Sequence, residues 1–103
     1  MRIDGVQWDA GNWPKCGTHG VTRDEIEAVL RAGEPVVPDP NPSEDRWRTV
    51  GRNEAGRHVF VVFTTRAVGR RMVLRPVSAR YMHAKEIARY EEAKALAFPK
   101  ERR

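Results

Sequence analysis

A chain of 103 residues with 19 Lys/Arg against 14 Asp/Glu has room for one domain around a single modest core. Its one cysteine, Cys16, excludes an internal disulfide and any cysteine-based metal motif. Its longest uninterrupted apolar run, Val59–Phe63, is too short for a bilayer-spanning helix. No charged segment followed by an apolar stretch opens the chain, so a reducing, cytoplasmic setting is expected.

The charge is unevenly spread. Residues 1–45 carry four Lys/Arg and nine Asp/Glu, whereas residues 46–103 carry fifteen Lys/Arg and five Asp/Glu. Fifteen of the basic residues are arginine. Such asymmetry in one small domain implies a basic face for a polyanion, or an arginine-rich solvated surface. His19, His58 and His83 are too scattered to read as a ligand cluster, and neither a metal nor a cofactor is expected.

In chain order, residues 2–8 read as a short strand ending at Trp8. Residues 10–19 read as a weak helical turn, broken by Gly11 and Pro14. Thr22-Arg23-Asp24-Glu25 matches a capping box, in which Thr22 and Glu25 satisfy each other's free amides. Ile26, Val29 and Leu30 follow at helical spacing, and Gly33 is the expected stop. Residues 34–45 contain Pro35, Pro38, Pro40 and Pro42 and read as a loop.

The second half reads as a meander of three strands, Arg46–Arg52, Arg57–Arg66 and Arg70–Val77. Its turns are Asn53–Gly56 and Ala67–Gly69. The middle strand is apolar on both faces and therefore central. In the third, Met72 and Leu74 alternate with Arg71, Val73, Arg75 and Val77. A last helix is expected over residues 83–97, with Ile87, Tyr90 and Leu96 on its apolar side. The fold class is α+β, a small antiparallel sheet flanked by helices. One domain spans residues 1–98, and residues 99–103 form a loose basic tail.

Arg75-Pro76-Val77-Ser78-Ala79-Arg80 is the most informative stretch, read as the junction where the third strand ends and the last helix begins. Two guanidinium forks there can grip a phosphodiester. Glu86 and Tyr90 follow one helical turn apart.

Two motifs together resemble a known family. The first is Trp8-Asp9, Asn12, Lys15 and His19-Gly20-Val21-Thr22. The second is Arg75 to Arg80 with Glu86 and Tyr90. Between them come Arg46, Gly51-Arg52, a turn at Gly56 and Thr64-Thr65-Arg66. In this order, across roughly residues 6–92, they are similar to the BrnT family of type II toxin–antitoxin toxins. The resemblance implies a RelE-like fold, metal-independent cleavage of RNA and growth arrest. It also implies a hetero-oligomer with a BrnA-type antitoxin bearing a ribbon-helix-helix part. The chain departs from the family pattern at Pro14, Cys16 and Pro76, and in Tyr81-Met82-His83-Ala84-Lys85 before Glu86.

RNA is cut when its own 2′-hydroxyl attacks the adjacent phosphorus, which requires proton transfer and stabilisation of a dianionic phosphorane. Arg66, Arg75 and Arg80 are the candidates for that stabilisation. Glu86 is a candidate base, or a complement to a helix N-terminus paired with an arginine. His19 is a candidate base or acid, or a helix cap. Lys15, Arg46 and Arg52 are candidates for holding RNA, and Trp47, between two arginines, for stacking a base or for packing. The alternative to an endoribonuclease is a non-catalytic module that binds RNA or a protein partner through the same basic face. A DNA-binding regulator is disfavoured, because the helix opened by Thr22 is acidic.

Overall fold

The computed structural model describes residues 5–32, 36–38 and 45–97. Its regular elements are α1 (Arg23–Ala32), β1 (Val36–Pro38), β2 (Trp47–Arg52), β3 (His58–Val68), β4 (Arg71–Tyr81) and α2 (Ala84–Ala97), with a single 3-10 turn at Lys15–Gly17 before α1. The strands form one antiparallel sheet in the order β1-β2-β3-β4. The α+β meander is therefore as expected, with one strand more than the sequence suggested.

The extra strand is β1. A proline-rich segment reads as a loop, yet Val36, Val37 and Pro38 pair with Thr49, Arg48 and Trp47. Proline is tolerated because this is an outer strand whose free side needs no donor. Residues 33–35 and 39–44, including Gly33, lie outside the described residues, as do residues 1–4 and 98–103. Of the expected N-terminal strand, the described residues form a bridge between Val6 and Leu74, flanked by Gln7 N donating to Leu74 O at 2.8 Å and Leu74 N to Gly5 O at 2.9 Å.

Helix α1 begins as its sequence dictates. Thr22 N donates to Glu25 Oε1 at 2.9 Å, and Glu25 N donates to Thr22 Oγ1 at 3.1 Å. This reciprocal cap contributes on the order of 1 kcal/mol. The spacing of Ile26, Val29 and Leu30 then puts all three in the core. They pack with Val59, Val61, Phe63, Leu74 and Ala79 from the sheet and with Cys16 and Val21 from the segment before α1. Gly51 permits the close approach of α1: a Cβ there would lie 3.1 Å from a Val29 methyl.

Central β3 is covered on both faces, as its apolar run requires. Val59, Val61 and Phe63 belong to the core, while His58 and Val62 are buried among their own neighbours. Strand β3 runs on to Val68, so the turn to β4 is the two-residue Gly69-Arg70, with Gly69 at φ 62°. Glycine at the first central position is what a II′ turn uses.

The largest departure from expectation is in β4. It does not end at Val77 but continues to Tyr81. Val62 pairs with Ser78 and Phe63 with Pro76, so Val77 is one residue too many and forms a bulge. The bulge accommodates the missing amide of Pro76 inside a strand. Arg75 and Arg80 are thus two positions within one strand, and no strand–helix junction lies between them. Helix α2 starts only at Ala84.

Candidate functional site

The N-terminal segment, the 3-10 turn and β4 meet along one edge of the sheet. Asn12 organises the meeting. Buried at 3 % exposure, it accepts from Asp9 N at 2.9 Å and donates through Nδ2 to Gln7 O and Pro76 O, each at 3.0 Å. This closes a tight loop over residues 9–12 and fixes it to the β4 bulge. Asp9 then faces Arg75. The two form a fork-to-fork pair, Nη1 to Oδ2 at 2.7 Å and Nη2 to Oδ1 at 2.9 Å. The guanidinium holds the Asp9 carboxyl below its ordinary range, helped by the Gly11 amide. Arg75 is 14 % exposed and is committed to this pair. Gln7 Oε1 accepts from both Arg75 Nη1 and Arg66 Nη1, each at 3.3 Å. The structure therefore brings Arg66 and Arg75 together, and Arg66 remains exposed with a neutral partner.

Arg80 is elsewhere, roughly 16 Å further along β4 at ~3.3 Å per residue. It forms a second fork-to-fork pair: Nη1 to Glu86 Oε1 and Nη2 to Glu86 Oε2, both at 2.6 Å. Its guanidinium also lies 4.8 Å from the Phe60 ring centroid. Glu86 accepts from His83 N at 3.0 Å as well, reaching back over the first turn of α2. Arg80 and this amide lower the Glu86 carboxyl to about 2. A carboxylate so strongly held in its charged form is a poor proton acceptor near neutrality. The structure places Glu86 in the alternative role expected of it, paired with an arginine at the first turn of α2.

That shift sets a pH dependence. The folded value lies below the ordinary 4.5, so the Arg80–Glu86 pair stabilises the fold fully above about pH 4.5 and is lost as pH falls toward 2. Wild type should melt above Glu86→Gln at pH 7, and the gap should narrow progressively from pH 4.5 to 2.5. A gap that stays constant through that range would show that the pair does not couple to folding.

The remaining expected site residues are dispersed. Lys15 and His19 are exposed on the segment that packs along β4. Cys16 beside Lys15 is buried, and burial pushes its thiol upward, so it is not a nucleophile in waiting. Arg52 is exposed and lies 3.6 Å from Glu91. Arg46 is half-buried just before β2. Trp47 does not stack outward: opposite Phe63, it packs against the core, because strand register points it to the α1 side. Tyr90 packs edge-on to His58 at 6.1 Å, and His58 Nε2 meets Glu91 at 3.0 Å. Both serve the seating of α2.

The sequence reading missed a cluster at the far end of the sheet. Tyr81 Oη donates to Glu25, 2.9 Å from each carboxylate oxygen, and Asn53 Nδ2 donates to Glu25 Oε2 at 2.7 Å. Arg57 lies over the Tyr81 ring at 3.7 Å. The signal available was the meander itself: the start of β3 and the end of β4 must be neighbours.

A small α+β domain with a basic half and arginines set along one sheet edge, held by a loop aspartate and a helix glutamate, has the charge arrangement of a protein that meets a polyanion. The chain belongs to the BrnT family, ribonuclease toxins of type II toxin–antitoxin systems, whose family model matches residues 8–86. No curated protein matches it. The match runs from Trp8 to Glu86, covering α1, the whole sheet and both fork-to-fork arginine pairs. Membership brings with it RNA as the substrate and an antitoxin as the partner. No helix among the described residues is long and apolar enough to cross a membrane.

Proposed function

We propose that the chain is a metal-independent endoribonuclease whose cleavage of RNA arrests growth in the cytoplasm until a BrnA-type ribbon-helix-helix antitoxin covers the basic face. The observation that carries this reading is the arrangement of arginines along β4 in a chain of the ribonuclease toxin family. The antiparallel sheet with its two helices supports a RelE-like architecture on a single domain.

In the proposed reaction the 2′-oxygen bonds to phosphorus, the bond from phosphorus to the 5′-oxygen breaks, and a cyclic phosphate remains. His19 serves as the proton acceptor or donor, the complementary transfer involving water. Arg80, held in plane by Glu86, stabilises the phosphorane. Arg66 and Lys15 hold a phosphate further along the strand, with Arg75 anchoring the Asp9 loop, and Arg46 and Arg52 extend the basic track. No three His, Cys, Asp or Glu side chains among the described residues group in a way that holds a metal ion. The engagement of Glu86 favours one second reading, a module that binds RNA through the same face without cutting it.

Purified protein, released from its co-expressed neighbouring frame, should cut RNA in EDTA and leave 2′,3′-cyclic or 3′-phosphate ends. Cleavage that stops in EDTA and returns with magnesium would contradict the mechanism, and binding without cleavage would favour the second reading. Failure to form a complex with a ribbon-helix-helix frame would remove the proposed antitoxin.

A further inference from the structure

We infer that Arg57, set over the ring of Tyr81, is a stacking platform for one unpaired base of the RNA; this rests on the ribonuclease reading above. Among the described residues Arg57 stands apart from Arg75 and Arg80. Those two spend their forks on Asp9 and Glu86. No carboxylate among the described residues pairs with Arg57, which is exposed and whose guanidinium lies 3.7 Å from the Tyr81 ring centroid.

Everything beneath that guanidinium is fixed. Glu25 is the hub, accepting from Tyr81 Oη, Asn53 Nδ2 and Thr22 N. Asn53 Oδ1 accepts from Arg57 N at 2.8 Å, and Asn53 N donates to Arg57 O at 3.0 Å, closing the β2–β3 turn. Gly20 backs the ring: a Cβ at that position would sit 3.9 Å from Tyr81 Cε2. A single carboxylate thus orients both the phenol and the turn that carries Arg57. The result is a planar cation on a supported ring, with its outer face in solvent.

Single-stranded RNA is recognised by stacking unpaired bases on aromatic rings and guanidinium planes, which discriminates little among bases. The platform lies at the same end of the sheet as Arg80 but on the opposite face, because Tyr81 and Arg80 are consecutive in β4, paired with Val59 and Phe60. An RNA strand rounding this end of the sheet would rest a base on Arg57 while its backbone passes the fork proposed to meet the scissile phosphate. A lysine preserves charge at position 57 but has no plane to offer.

The test is binding of a short 2′-O-methyl oligonucleotide, which cannot be cut, followed by fluorescence anisotropy alongside a matched oligonucleotide lacking its bases. Arg57→Ala and Arg57→Lys should both weaken the base-bearing strand roughly tenfold, within the range for loss of one stacking partner. Both should bind the abasic strand as wild type does, apart from a small common loss of charge in Arg57→Ala. Tyr81→Phe, which keeps the ring and frees Glu25, should lose less than Arg57→Lys, and thermal melting checks that each variant is folded. If Arg57→Lys binds like wild type, or if the abasic strand loses as much as the base-bearing one, Arg57 meets a phosphate and the platform is refuted. If wild type binds neither strand, the ribonuclease reading fails first.

Discussion

Arg80→Ala should abolish growth arrest while the protein stays folded. The Arg80 guanidinium is held in one plane by two 2.6 Å bonds to Glu86 and lies over Phe60. A fixed fork needs no reorganisation as charge develops on the phosphorane, which is where electrostatic catalysis gains most. Removing such a donor costs on the order of 3 kcal/mol of transition-state stabilisation, or roughly a hundredfold or more in rate. Arg80→Lys should recover only part of this, because a lysine keeps the charge without the fork. Glu86→Gln should slow cleavage less than Arg80→Ala, since it loosens the fork without deleting it. Growth without antitoxin, cleavage rate and melting temperature are the measurements. Full toxicity of a folded Arg80→Ala would remove this residue from the site. A Glu86→Gln variant as inactive as Arg80→Ala, with a shifted pH–rate profile, would return Glu86 to the role of base. Arg75→Ala should behave differently, losing melting temperature and activity together, because Arg75 holds the Asp9 loop.

What was legible in the sequence was what is decided locally. The Thr22–Glu25 cap, the α1 stripe, the turn at Asn53–Gly56 and the central position of β3 each follow from a few adjacent residues. The errors share a cause. The third strand reads as ending at Val77, but a bulge there lets the strand absorb Pro76 and run on to Tyr81. That one misplaced boundary created a strand–helix junction around Arg75 and Arg80, and it hid Tyr81 as a β4 residue beside β3. Pairings such as Arg75 with Asp9 and Tyr81 with Glu25 link positions 66 and 56 residues apart. Nothing in local periodicity predicts them. Trp47 shows the same limit on a smaller scale: flanked by arginines it reads either as packing or as stacking a base, and only the register with Phe63 decides for packing.

The largest effect on stability should come from Asn12→Ala. Asn12 touches neither of the arginines assigned to phosphate, yet it joins the loop that carries Asp9 to the bulge that follows Arg75. Its side chain satisfies three backbone groups, Asp9 N, Gln7 O and Pro76 O. Alanine leaves all three without this partner in a site where Asn12 is 3 % exposed and water is excluded. At about 1 kcal/mol for each lost bond the cost is about 3 kcal/mol. For a domain of this size that corresponds to a fall in melting temperature of roughly 10–20 °C. Asn12→Asp is the sharper control. It has the same shape and keeps the acceptor toward Asp9 N, but it aims a carboxylate oxygen at two carbonyls. It should therefore destabilise at least as much as alanine near pH 7 and less at acid pH, where a protonated carboxyl regains one donor. An Asn12→Ala variant that melts within a few degrees of wild type would show that the loop is held by other contacts, and that Arg75 does not depend on it for its place beside Arg66.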